Sequence, residues 1–213
     1  MIKLMMKMFL ASYVREPNTW HKLENFVGGL KDKKIAYIPT ASNGEGGWES
    51  WKSSNTWEQI NNSGAVVTPV VLEEYRNASV LKILDDNEIL WFVGGMAGYL
   101  MYWIKRCGID KYLLDKNNSN KVYVGSSAGS MVAGRSLEIA EFDFGDKEYG
   151  ASEIRPMNLV DFDIYPHYED SLYEKIKAQY IGNKLYLLKN GEEIIVDGDK
   201  IIVQGEERII ENW

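Results

Sequence analysis

Cysteine occurs once in the 213 residues, at Cys107, which excludes an internal disulfide and any metal site built on several thiolates. A single thiol fits a reducing compartment, so a cytoplasmic protein is expected. Histidine is nearly as scarce, with only His21 and His167, so any chemistry that needs an imidazole must use one of these two. No apolar run reaches the ~18 residues of a membrane-spanning helix. The apolar N-terminus is interrupted by Lys3 and Lys7, and the stretch after Lys7 is too short for a secretory signal. Positive charge is also sparse: 24 Lys and Arg face 31 Asp and Glu, for a net charge of −7. The densest basic cluster, Lys31, Lys33 and Lys34, is broken by Asp32. Neither a nucleic-acid partner nor a membrane partner is expected from such a chain.

What is present is ordinary globular composition, 45% hydrophobic and 26% charged, long enough for one α/β domain over residues 1–213. Strand-length apolar runs fall at Met8–Val14, Lys34–Ile38, Ala65–Val71, Ile89–Val93 and Val122–Gly125. Helical segments alternate with them. Asn18 is placed to cap a helix through Val27, closed by Gly28-Gly29, and further helices are predicted at Trp48–Asn62, Ser79–Leu84 and Tyr99–Arg106. This order predicts an α/β fold, a doubly wound and mostly parallel sheet between two helical layers. The last third reads differently. A strand at Leu159–Tyr165 and a helix at Ser171–Tyr180 precede short strands at Lys184–Leu188, Glu193–Val196 and Lys200–Val203. Asn190-Gly191 and Asp197-Gly198 read as their turns, giving a short C-terminal β-hairpin region.

The chemical signal is strongest at Gly125-Ser126-Ser127-Ala128-Gly129, between a strand and a small-residue helix. This is a nucleophile elbow in its required context. A sharp strand-to-helix turn holds Ser127 in a strained conformation, and glycines two residues to either side let neighbouring segments pass closely. Serine needs a base. His21 lies inside the first predicted helix and reads as structural, whereas His167 follows an apolar strand and reaches the same sheet edge as Ser127. An oxyanion hole needs two N–H donors. Ala128 supplies one by position, and the Gly94-Gly95 turn, directly after a strand, is placed to supply the other.

Four features together resemble the dipeptidase E (α-aspartyl dipeptidase) family of serine peptidases and its relative cyanophycinase. They are Tyr37–Ser42 (YIPTAS), the Gly94-Gly95 turn, the elbow itself, and VDFDIYPHY from Val160 to Tyr168. The resemblance implies a fold like that of class I glutamine amidotransferases, which is flavodoxin-like. It implies a peptidase acting on small peptides through Ser–His chemistry, with no metal. No cofactor is expected, and the chain is expected to be a monomer or homodimer. It leaves the third triad member open. An acid beyond the elbow suggests Asp143, with Glu141 and Glu138 nearby, while a family glutamate in a turn after the last helix is replaced here by Asn190. Met96-Ala97 replace the family's Gly-Asn after Gly94-Gly95. Arg15, Arg135 and Arg155 are candidate anchors for a substrate carboxylate. An inert ligand-binding domain, or a hydrolase of other amides or esters, are the alternatives.

Overall fold

The computed structural model describes residues 6–145 and 153–212, so the first five residues of the N-terminal apolar run lie outside it. Strands β1 (Lys7–Ala11), β2 (Lys34–Ile38), β3 (Val66–Pro69), β4 (Ile89–Phe92) and β5 (Val122–Ser126) form the parallel part of a seven-stranded sheet. The sheet runs β3-β2-β4-β5-β1 and continues antiparallel through β8 (Glu193–Asp197) and β9 (Lys200–Gln204). Strand residues alternate between two buried clusters. Met8, Leu10, Leu90 and Phe92 pack on one face, and Phe9, Ala11, Ile89 and Trp91 on the other. Both faces are therefore covered, which explains why these strands read as continuous apolar runs. Full burial of each such large side chain contributes roughly 1.5–3 kcal/mol.

The helices are α1 (Pro17–Val27), α2 (Thr40–Gly46), α3 (Asn55–Asn61), α4 (Leu72–Tyr75), α5 (Leu81–Asp85), α6 (Ala97–Cys107), α7 (Ile109–Leu114), α8 (Ala128–Met131), α9 (Glu138–Asp143) and α10 (Tyr173–Gln179). Among the described residues none is long and apolar enough to cross a membrane. Asn18 does not cap α1. The helix opens at Pro17, whose fixed φ and missing N–H suit a first position, with Glu16 before it and no side-chain cap. The expected single helix at Trp48–Asn62 is instead a 3-10 turn, Ser50–Ser53, followed by α3. Ser54 takes extended backbone there and accepts the Trp57 N–H at 3.2 Å, which starts a new helix.

A second, three-stranded sheet pairs β7 (Lys184–Leu187) in parallel with β6 (Asp163–Tyr165) and antiparallel with β10 (Ile209–Glu211). Because β7 belongs to this sheet and β8 to the larger one, Asn190-Gly191 is a crossing between sheets, not the turn of a paired hairpin. Asp197-Gly198 does close a hairpin, with Asp197 opposite Lys200. The order of the large sheet places the carboxyl ends of β4, β5 and β1 side by side. In open α/β sheets that edge is where ligands bind.

Candidate active site

Ser127 stands directly after β5 with φ 50° and ψ −113°, a conformation that side-chain-bearing residues rarely adopt. One backbone hydrogen bond holds it there, and a neighbouring hydroxyl fixes the same acceptor. Its N–H donates to the Ala11 carbonyl at 3.0 Å, and Ser130 Oγ donates to the same oxygen at 2.8 Å. The glycines of the elbow are sterically required. A Cβ on Gly129 would lie 2.1 Å from the Phe92 carbonyl oxygen, and one on Gly125 would lie 2.7 Å from the Gly129 oxygen. Ser126, the neighbouring serine, is 7% exposed and its Oγ already accepts the Val14 N–H at 3.2 Å.

His167 arrives just past β6 and its ring meets the serine, with Nε2 2.9 Å from Ser127 Oγ. The strand ladder grips it on both sides: Leu188 N–H donates to the Tyr165 carbonyl at 2.9 Å and Tyr168 N–H to the Leu188 carbonyl at 3.0 Å. His167 itself has φ 56°, and its N–H donates to Ser12 Oγ at 2.7 Å. His21 sits on α1 with its side chain 73% exposed, beside Glu24.

Asn190 occupies the far side of the imidazole, with Oδ1 2.7 Å from Nδ1. This corrects the expectation for Asp143. That carboxylate lies at the end of α9 and pairs with Lys175, with its side chain only 2% exposed. Glu138 is drawn inward as well, and burial, then the nearby Asp163, raises its carboxyl above the ordinary value. Asp163, the first residue of β6, is buried. It accepts the N–H groups of Arg135 and Ser136 at 2.6 and 2.8 Å and the Tyr180 hydroxyl at 2.8 Å. It anchors the chain beyond the elbow, far from the imidazole nitrogen in role.

Ser12 carries no local sequence signal and was not among the expected residues. It lies one position past β1, fully buried, and donates from Oγ to Asn190 Oδ1 at 3.2 Å. A second buried device lies behind the Gly94-Gly95 turn. Glu73 is 5% exposed and accepts from Thr40 Oγ1 at 2.7 Å and Asn43 Nδ2 at 2.9 Å, bracing α2. The α2 backbone then backs the turn, since Met96 N–H donates to the Ala41 carbonyl at 3.0 Å. Gly95 has φ 131°, and a Cβ there would lie 2.2 Å from that same oxygen, so only glycine fits. Ala128 opens α8, where a first-turn N–H has no intrahelical acceptor.

Ser127, His167 and Gly95 line a cleft of about 550 Å³. Of the three arginines considered, Arg15 lines it and Arg135 and Arg155 do not. From α2, Ser42 and Glu45 line the wall, while Trp51 in the 3-10 turn that follows is buried against Tyr37 and Trp57 and serves packing. Phe144, just past α9, brings its ring within 6.4 Å of His167.

A strained serine at the carboxyl edge of a doubly wound sheet, hydrogen-bonded to an imidazole oriented by a third side chain, defines a hydrolase of the nucleophile-elbow class. The chain matches peptidase family S51 over residues 9–204 and belongs to that family. It is a peptidase with a dipeptidase E-like architecture. Its relatives include an uncharacterized peptidase of Listeria monocytogenes, 27% identical over 177 residues, covering 80% of this chain and 85% of that one. Another, from Pasteurella multocida, is 26% identical over 205 residues, covering 90% of this chain and 97% of its own length. Among solved structures, one described as a peptidase E protein from Listeria monocytogenes superposes with a TM-score of 0.74 at 24% identity, covering 94% of this chain and 98% of that one. A peptidase from an acI-B1 Actinobacterium gives a TM-score of 0.69 at 15% identity, covering 99% and 96%.

Proposed function

We propose that this peptidase hydrolyses small peptides with free termini in the cytoplasm, with Ser127 as nucleophile, His167 as general base and acid, and Asn190 as the orienting residue. The observation that carries this reading is the 2.9 Å contact between His167 Nε2 and Ser127 Oγ. In this mechanism Nε2 takes the Ser127 proton as Oγ attacks the scissile carbonyl. The N–H groups of Gly95 and Ala128 receive the oxyanion. The imidazolium then gives its proton to the leaving amine, which departs with the C–N bond broken. Water, deprotonated by the same ring, releases the acyl group from Ser127.

The cleft's charges support a short substrate. A peptide with free ends carries one ammonium and one carboxylate, and the cleft is lined by Glu45 and Arg15. The Arg15 guanidinium lies 5.3 Å over the Tyr13 ring, and that ring meets His167 edge-on at 5.9 Å. The cation is therefore on the imidazole side, where the leaving residue sits, and suits its terminal carboxylate. The buried, single thiol supports the cytoplasmic part of the reading.

The test is labelling with a fluorophosphonate, followed by a dipeptide panel with free and amidated carboxyl ends. Ser127 is expected to be labelled in the wild type and not in Ser127→Ala, and free dipeptides to be the better substrates. Absence of wild-type labelling, or labelling that survives Ser127→Ala, overturns the assignment of the nucleophile.

A further inference from the structure

Asparagine on a catalytic imidazole raises a problem that aspartate does not. Both oxygens of a carboxylate accept hydrogen bonds, so either orientation serves. An amide accepts at one end and donates at the other. With Oδ1 facing Nδ1, the ring must carry its proton on Nδ1, and the Nε2 lone pair is free to take the Ser127 proton. With the amide reversed, its NH2 group would donate to Nδ1, the ring proton would sit on Nε2, and the base would already be occupied. Something must therefore choose the orientation.

Ser12 makes that choice. Its Oγ receives the His167 backbone N–H at 2.7 Å, so one lone pair is taken by a donor that cannot reverse. Its own proton goes to Asn190 Oδ1 at 3.2 Å. The same oxygen receives Nδ1–H at 2.7 Å, which uses both of its lone pairs. Reversing the amide would place a donor against the Ser12 proton. That hydroxyl is fully buried, and a buried donor left without an acceptor is costly. We infer that Ser12 is a positioning residue that sets the tautomer of His167 by fixing which end of the Asn190 amide faces the ring.

The inference rests on the reading of Ser127 and His167 as nucleophile and base, but its main test does not. The chain has two histidines, and His21 is mostly exposed, so ring-nitrogen NMR on 15N-histidine protein resolves His167 against an internal reference. At alkaline pH the wild type is expected to show His167 protonated on Nδ1. Ser12→Ala is expected to bring up an Nε2–H population of comparable size, with a fluorophosphonate labelling rate at least twofold lower. Ser12→Thr, which restores a hydroxyl, should return the wild-type spectrum. Adding Asn190→Asp to Ser12→Ala should also restore the Nδ1–H form, because a carboxylate has no wrong orientation. A merely structural serine predicts no such rescue. Should Ser12→Ala not fold, Ser12→Cys keeps the size with a weak donor and carries the same readout. A folded variant without the hydroxyl that keeps Nδ1–H alone, or a tautomer mixture that Asn190→Asp leaves unchanged, overturns the inference. Failure of wild-type labelling with the NMR pattern intact would instead fault the peptidase reading.

Discussion

Asn190→Asp in the otherwise intact chain exchanges a neutral acceptor for a charged one while keeping its shape. The present contact, 2.7 Å from Oδ1 to His167 Nδ1, would place a carboxylate about 4 Å from the centre of the ring's charge when the imidazole is protonated. Opposite charges at that separation attract by ~1 kcal/mol in water and ~4 kcal/mol at an effective dielectric of 20. Asn190 is exposed, so the lower part of that range applies, about 1.5 kcal/mol, which corresponds to roughly one pH unit. The sign follows from the base's task. The ring accepts the serine proton only when neutral, and a carboxylate favours the charged ring, so a higher pH is needed to empty it. The acidic limb of kcat/KM should move up by about one pH unit. The same charge stabilises the imidazolium formed during attack, so the plateau above the limb should rise by up to about tenfold. Fluorophosphonate labelling rates measured from about pH 5 to pH 9 report both effects without a known substrate. A limb that stays in place with an unchanged plateau refutes the claim that position 190 faces the catalytic ring.

Gly129→Ala puts a methyl 2.1 Å from the Phe92 carbonyl oxygen, a backbone atom that cannot rotate away, and should lower urea stability by about 3 kcal/mol with loss of Ser127 labelling. Arg15→Gln should raise KM for dipeptides with a free carboxyl end by about tenfold and leave their amides little changed, measured as the ratio of the two KM values. Cys107 is buried and burial pushes its thiol up, so iodoacetamide should modify it only after unfolding, and Cys107→Ala should keep wild-type labelling. Burial raises the Asp163 carboxyl above its ordinary 3.8 despite its hydrogen bonds, so folding favours the protonated form there. Stability from that site is full below 3.8 and declines as pH climbs through the raised folded value, and Asp163→Asn should flatten this part of the urea-midpoint profile.

The residues that were legible in advance carry their geometry in adjacent sequence. Ser127 announces itself because a strained turn needs small neighbours at fixed offsets, and Gly125 and Gly129 are those neighbours. His167 followed because only one of two imidazoles comes after a strand. The parallel strands were readable because both faces of the sheet are buried, so β2 falls at its expected Lys34–Ile38. What stayed hidden is what distant parts of the chain decide together. Ser12 and Asn190 are 178 residues apart and meet only because β1 lies between β5 and β8, an order that no local pattern encodes. The choice of Asp143 for the triad failed for a related reason. An acid near the elbow in sequence is carried by α9 to Lys175, while the crossing from β7 to β8 brings a neutral amide to the ring. With no charge at that position, the imidazole depends on orientation alone. The hydrogen-bond geometry around Asn190 therefore has to be stricter than a carboxylate would require, which is why the serine beside it is buried and bonded at both ends.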